Sequence, residues 1–299
     1  MSRILILGAT GNLGQLTADA LASDPQVTLR VASSRRSGYD RLKARFPHAE
    51  VVIADWYDRE SLVKAMQGVN RVFVATPDFY TDEHLVTPNI ISAAQSVGDI
   101  EQIVRLIAIP DGLTADRLSP EFLATRCGAN LHVIAKPLLV ASGLPVTFLN
   151  VPAWIMFNLP WFLAPEVKKH RQLAMPAVTD ASRMWVSEGD ISEVAARLLR
   201  GSVEDHIGRE YVLTAAQRYN YPQIAGILTE ELGEQVTFVD EEGPLREMMG
   251  DKFDTLMTYF RHETQAYGEV THHETVVDLL GRPQVTVQDY IRHHRHLFI

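Results

Sequence analysis

The most constraining stretch of this chain lies near its start: Ile4-Leu5-Ile6-Leu7-Gly8-Ala9-Thr10-Gly11-Asn12-Leu13-Gly14. An apolar run meets three glycines at GxxGxxG spacing, and apolar residues then recur at helical intervals through Leu21. This order predicts strand, tight turn and helix. A turn so sharp needs a residue that tolerates positive φ, which glycine supplies. A bare Cα also lets a pyrophosphate approach the backbone, and the following helix start offers unpaired N–H groups to that anion. Strand before and helix after is the context that a dinucleotide-binding turn requires. Gly8, Thr10, Gly11, Asn12, Leu13 and Gly14 are therefore candidate cofactor contacts.

The 299 residues suffice for one large α/β domain or two small ones. A formal net charge of -9 argues against a nucleic-acid surface. Cys127 is the only cysteine, so no internal disulfide forms and a reducing compartment is expected. The chain enters its first strand at once, so no signal peptide is expected, and the apolar stretch from Trp154 to Ala164 is broken by Asn158 and Pro160. That stretch is too short to span a bilayer. The expectation is a soluble, cytoplasmic protein.

Strand and helix are expected to alternate through the first two thirds. Strands are expected at Val27–Ser33, Val51–Asp55, Arg71–Ala75, Gln102–Ile109 and Val146–Leu149, with helices at Arg41–Phe46, Ser61–Met66, His84–Val97 and Leu131–Ser142. Such alternation predicts a doubly wound parallel sheet of Rossmann type, with ligands at the C-terminal edge of its strands. Residues 1–152 form this domain in the sequence reading. Residues 153–299 form a smaller substrate lobe, with 185–214 returning to the first domain. Within the second part, Asp190 is expected to cap a helix with Glu193 completing a capping box. Further helices are expected at Tyr221–Leu232, Leu245–His262 and Gln288–His296, and strands at Tyr211–Leu213 and Val236–Val239.

The glycine motif, the Asp55…Asp58…Ser61-Leu62…Gln67-Gly68-Val69 run and Ser142-Gly143-Leu144-Pro145-Val146-Thr147-Phe148-Leu149 together carry a resemblance. So do Val186-Ser187…Asp190-Ile191…Val194-Ala195 and Gly208-Arg209-Glu210-Tyr211-Val212-Leu213-Thr214. Over nearly its whole length the chain resembles the NmrA-like branch of the atypical short-chain dehydrogenases/reductases. The resemblance implies a Rossmann fold and NADP(H). It also implies either an NADPH-dependent reductase of a small aromatic or quinone-like electrophile, or an NADP(H)-sensing regulator that works through a protein partner. A small-molecule substrate is expected, no nucleic acid and no membrane, with a homodimer left open.

Cofactor choice is readable after the second strand. NAD-selective sites place an acidic residue there to hold the ribose 2′-hydroxyl. This chain has Ser33-Ser34-Arg35-Arg36 instead. Ser34, Arg35 and Arg36 are candidates for a 2′-phosphate, which a guanidinium binds bidentately. Relatives contact adenine at the position of Asp55, with Trp56 beside it; a turn or cap role for Asp55 competes. Ala75, Thr76 and Pro77 end the fourth strand and are expected along the nicotinamide ribose.

The superfamily's Tyr-x-x-x-Lys pair is missing where it is expected; the one copy, Tyr39 to Lys43, follows the second strand. His132 and Lys136, one helical turn apart, take its place. Relatives carry histidine or lysine at the first position and glutamate at the second, so Lys136 departs from the pattern. His132 contacts substrate or ribose, or is a packed helix histidine; it is not expected to be an essential acid. Phe79, Tyr80, Trp154, Phe157 and Trp161 are candidate walls of an apolar substrate pocket, against the alternative that they are lobe core. Asn150 stands where relatives often have arginine. The pairs His272-His273 and His293-His294…His296 lack a carboxylate or cysteine frame, so no metal is expected.

Overall fold

The computed structural model describes residues 2–266 and 270–299. Its strands are β1 (Ser2–Leu7), β2 (Val27–Ser33), β3 (Glu50–Ile53), β4 (Arg71–Val74), β5 (Gln102–Ile107), β6 (Val146–Asn150), β7 (Trp154–Ile155), β8 (Gln172–Met175), β9 (Arg183–Val186), β10 (Glu210–Val212), β11 (Arg218–Tyr219) and β12 (Thr237–Asp240). The helices of the first half are α1 (Asn12–Ala22), α2 (Arg36–Arg45), α3 (Arg59–Met66), α4 (Glu83–Val97), α5 (Pro120–Ala124) and α6 (Ala129–Ala141). Those of the second are α7 (Asn158–His170), α8 (Glu188–Arg200), α9 (Tyr221–Leu232), α10 (Gly243–Met249), α11 (Phe253–Ala266), α12 (Thr275–Leu280) and α13 (Val287–His293).

A seven-stranded sheet runs β10-β6-β5-β4-β1-β2-β3. Every pairing in it is parallel. Strands buried on both faces read as continuous apolar runs, and β1 shows why. Leu5 and Leu7 pack on one side with α3, α4 and α6, whereas Ile4 and Ile6 pack on the other with α1, α2 and α8. The chain reverses its strand order between β1 and β4, which opens a crevice at their C-terminal ends.

A second core, built from α7, β8, α9, α11 and α13, lies beside the sheet. Two short sheets, β11-β9-β7 and β12-β8, frame it. Phe79 and Trp154 pack against both this core and the core under α3, α4 and α6, so they mark the junction. Residues from Glu188 to Val212 lie with the large sheet: α8 packs its buried face on the α1 side and β10 extends the edge beside β6.

Three expectations need correction. Helix α2 starts at Arg36 rather than Arg41. Its Gly38 is forced by close approach, since a Cβ there would lie 2.2 Å from Ser33 Oγ and 2.8 Å from the Thr10 methyl. Ser187, not Asp190, caps α8, accepting a bond from the Gly189 N–H at 3.1 Å. Asp190 is buried in the first turn and instead binds Arg282 at 2.7 Å and the Val285 N–H at 2.8 Å. The helix expected over Leu245–His262 is divided at Gly250, whose φ of 52° ends α10 before α11 begins.

Candidate cofactor and substrate site

The glycine turn is built by contact with β4. Gly8 has φ of 91°, and a Cβ on it would meet the Ala75 carbonyl oxygen at 2.3 Å. A Cβ on Gly14 would meet the Gly8 carbonyl oxygen at the same 2.3 Å, so the last glycine seats α1 against the turn. Gly11 differs. Its φ of -86° suits any residue, and a Cβ there would touch only the Gly8 oxygen, at 3.4 Å. The space in front of Gly11 is therefore open. Helix α1 starts there with no side-chain cap and no acidic residue in its first turn. Unpaired N–H groups and the positive end of the helix dipole thus face an open cradle, which fits a pyrophosphate. Thr10, Gly11 and Asn12 are exposed at this cradle, whereas Leu13 is buried in the core behind it.

After β2, Ser33 Oγ donates to the Arg35 carbonyl at 2.8 Å and accepts from the Arg35 N–H at 3.1 Å. This fixes the backbone that carries Ser34, Arg35 and Arg36. The Arg36 guanidinium is engaged by Asp40 at 3.3 Å and lies 4.7 Å over the Tyr39 ring. Arg35 is exposed at the N-cap of α2. Asp55 accepts from the Tyr57 N–H at 3.0 Å and its own N–H binds Ser61 Oγ at 2.9 Å, a turn arrangement. The Trp56 indole does not join the crevice; it is core packed with α3 and α4.

The β4 end carries a buried network. Thr76 Oγ1 donates to Glu83 Oε1 at 2.7 Å and accepts from Arg105 Nη2 at 2.9 Å. Arg105 and Glu83 pair at 2.6 Å, both essentially inaccessible to solvent. Burial alone would raise the Glu83 carboxyl, but Arg105 holds it below the usual range. His132 sits nearby on α6, its Nδ1 accepting from the Ala108 N–H at 3.0 Å. Burial, reinforced by the Arg105 charge, lowers the imidazole to about 3. It is a neutral, packed histidine. Lys136 turns away to Glu210, at 2.5 Å. Asn150 is fully tied, to the backbone of Ile109 at 2.7 and 2.8 Å and to Glu210 at 2.6 Å.

The loop after Pro77 is clamped to the loop before α6. The Phe79 N–H donates to the Arg126 carbonyl at 2.7 Å, and the Gly128 N–H donates to Asp78 Oδ1 at 3.2 Å. Phe79 and Arg126 both hold positive φ, 66° and 50°, which side-chain-bearing residues rarely adopt. Trp154 is half-buried, stacked on Phe260 at 5.3 Å, and its indole N–H donates to buried Glu263. Glu263 in turn pairs with buried Arg183 at 3.0 Å. Phe157 and Trp161 stack at 6.3 Å, and Trp161 remains 48% exposed. Tyr80 is exposed beneath Lys252, whose ammonium lies 5.5 Å from the ring. Trp154 is thus locked at the junction of the two cores, whereas Tyr80, under Lys252, and Trp161, against Phe157 and Phe162, each keep an exposed aromatic edge.

Gly38, Asp78, Glu83, Arg105 and Glu263 escaped the sequence reading. Gly38 had the only local signal, a glycine within a charged segment after the second strand. The others depend on contacts between distant segments. Among the described residues no group of three or more His, Cys, Asp or Glu could hold a metal, and no helix is long and apolar enough to cross a membrane.

A family model described as NmrA-like matches residues 1–280. The chain belongs to the NmrA-like family. Within reach of this family member is the (4-alkanoyl-5-oxo-2,5-dihydrofuran-3-yl)methyl phosphate reductase of Streptomyces griseus, 27% identical with 99% of both chains covered. Quinone oxidoreductase 2 of Escherichia coli is 26% identical over 97% of this chain and 98% of its own. Among solved structures, the NADPH-dependent quinone oxidoreductase of Escherichia coli complexed with NADPH superimposes with a TM-score of 0.74. It is 23% identical, covering 99% of this chain and all (100%) of that one.

Proposed function

We propose that this NmrA-like protein is an NADPH-dependent reductase of a small, aromatic or quinone-like electrophile. The observation that carries the reading is the open cradle at Gly11, backed by an uncapped helix start and joined through Gly8 to the end of β4. Of the two relatives named above, one is named a reductase and the other a quinone oxidoreductase, and each matches nearly the whole of this chain. The Gly8–Gly14 turn and the α1 start would hold the pyrophosphate, and Arg35 the 2′-phosphate. Asp55 would lie at the adenine end. Ala75, Thr76 and Pro77 would lie along the nicotinamide ribose. NADPH, when bound, supplies the hydride.

The chain's own contribution is to bind, orient and exclude water. The buried Thr76–Glu83–Arg105 network fixes the strand end on which the nicotinamide would rest. Neutral His132 and tethered Lys136 place no acid there. Phe79, Tyr80 and Trp161, with Trp154 behind them, supply the apolar wall for an aromatic acceptor. The test is steady consumption of NADPH with a panel of quinones and conjugated carbonyl acceptors. Many turnovers per protein support the reading; NADPH binding without consumption across the panel contradicts it.

A further inference from the structure

We propose that Tyr57 is a positioning residue that couples the adenine end of the cofactor site to the wall that meets the acceptor, an inference that rests on the reductase reading above. Tyr57 lies two positions beyond Asp55 in the turn after β3, and its N–H donates to Asp55 Oδ1 at 3.0 Å. Its phenol reaches the neighbouring loop, between β4 and α4. The hydroxyl donates to the Tyr80 carbonyl at 3.0 Å and accepts from the Asp82 N–H at 3.0 Å. The ring is thus pinned at its tip, although the residue is 47% exposed.

The far side of the same loop is tied as closely. The Phe79 N–H donates to the Arg126 carbonyl at 2.7 Å, and Arg126 pairs with Asp82 at 2.9 Å. Buried Thr81 donates to the Pro77 carbonyl at 2.8 Å. Phe79 then packs against both hydrophobic cores, and Tyr80 lies under the Lys252 ammonium. A run of contacts therefore leads from Asp55, through one phenol, to the residues that join the sheet to the substrate lobe.

Two residues of this arrangement hold φ where side chains are rare, Phe79 at 66° and Arg126 at 50°. Such strain persists only where the surroundings over-determine the backbone. Tyr57 supplies two of the determining bonds, both from the cofactor side. Without them a relaxed loop becomes the competing state. A ligand that firms the turn at Asp55 favours the strained loop, and so does an aromatic ligand resting on Phe79 and Tyr80. Two ligands that favour the same state bind more tightly together than apart.

The test uses a fragment too short to touch the acceptor. Adenosine 2′,5′-bisphosphate carries the adenine half of NADPH and lacks the nicotinamide and its ribose. The aromatic ligand is 1,4-naphthoquinone, which is not turned over in the absence of nicotinamide. Its dissociation constant is measured by tryptophan quenching, with and without saturating bisphosphate, in wild type and in Tyr57→Phe. Wild type is expected to bind the quinone at least about fivefold more tightly with the fragment present. Tyr57→Phe keeps the half-exposed ring and loses only the tie, so that ratio is expected to fall to about one. A residue that only supported the fold would lower the separate affinities and leave the ratio as it was. In turnover, the variant should raise the acceptor KM several-fold and hold kcat within about twofold. A wild-type ratio near one, or an unchanged ratio in Tyr57→Phe, overturns the coupling while the reductase reading stands. A wild type that binds neither probe and reduces no acceptor overturns the reductase reading, and the coupling with it.

Discussion

Gly8 lies so close to Ala75 that a Cβ on the glycine would sit 2.3 Å from the alanine's carbonyl oxygen. This contact joins the turn after β1 to the end of β4. Gly8→Ala must both adopt a φ of 91° and push a strand end aside. The expected loss is roughly 2–5 kcal/mol of stability, from backbone strain plus overpacking. Urea unfolding checks it; an unchanged midpoint would mean that the two segments do not meet.

Arg35 and Arg36 are not equivalent. Arg36 is engaged by Asp40 and Tyr39, whereas Arg35 is exposed at the helix start. Arg35→Ala is expected to weaken NADPH by about tenfold or more, and NADH almost not at all. Arg36→Ala should cost less. The exposed contact is screened, so wild-type preference for NADPH should shrink with added salt. Titration of both cofactors at two salt concentrations checks this, and equal losses of NADPH and NADH in Arg35→Ala would contradict it.

His132 makes stability pH-dependent. Its folded value of about 3 lies below the ordinary 6.5, so between these the unfolded chain binds a proton that the folded chain refuses. Its contribution is therefore complete above 6.5 and drains as pH falls toward 3. His132→Asn offers an oxygen to the Ala108 N–H and does not titrate. The variant should lose less stability than wild type between about pH 7 and about pH 4.5, by the linkage between protonation and folding. Urea unfolding at both pH values decides it, and parallel losses would contradict a buried neutral imidazole.

The pair Arg105–Glu83 holds Thr76 from inside the core. Glu83→Gln leaves the guanidinium buried without its countercharge, at a cost of about 3–5 kcal/mol. A loss under about 1 kcal/mol, the size seen for exposed pairs, would show that water reaches this network.

The parallel sheet was legible because β1, β4 and β6 are mostly apolar runs, as strands buried on both faces are, and because turn residues separate strands from helices in regular alternation. The glycine turn was legible because its three glycines fall within one short stretch, Gly8 to Gly14. Trp56 was misplaced because local spacing does not say which way an indole turns at a strand end. Asp190 looked like a cap because its neighbours fit a capping box; its partner Arg282 lies 92 positions away. Asp78 gave no local signal at all. Its part in the loop clamp comes from Gly128, 50 positions further on.

The central claim is that the open cradle at Gly11 receives the pyrophosphate of NADPH. Gly11→Val tests it most directly, because the backbone there accepts a side chain and a Cβ meets only the Gly8 oxygen at 3.4 Å. Calorimetric titration of NADPH into wild type and variant, with unfolding midpoints measured alongside, is the experiment. The account predicts a folded variant of near-native stability whose NADPH affinity is lower by at least about a hundredfold, the loss of two charge-assisted bonds or more. A folded variant that binds NADPH as tightly as wild type would contradict it.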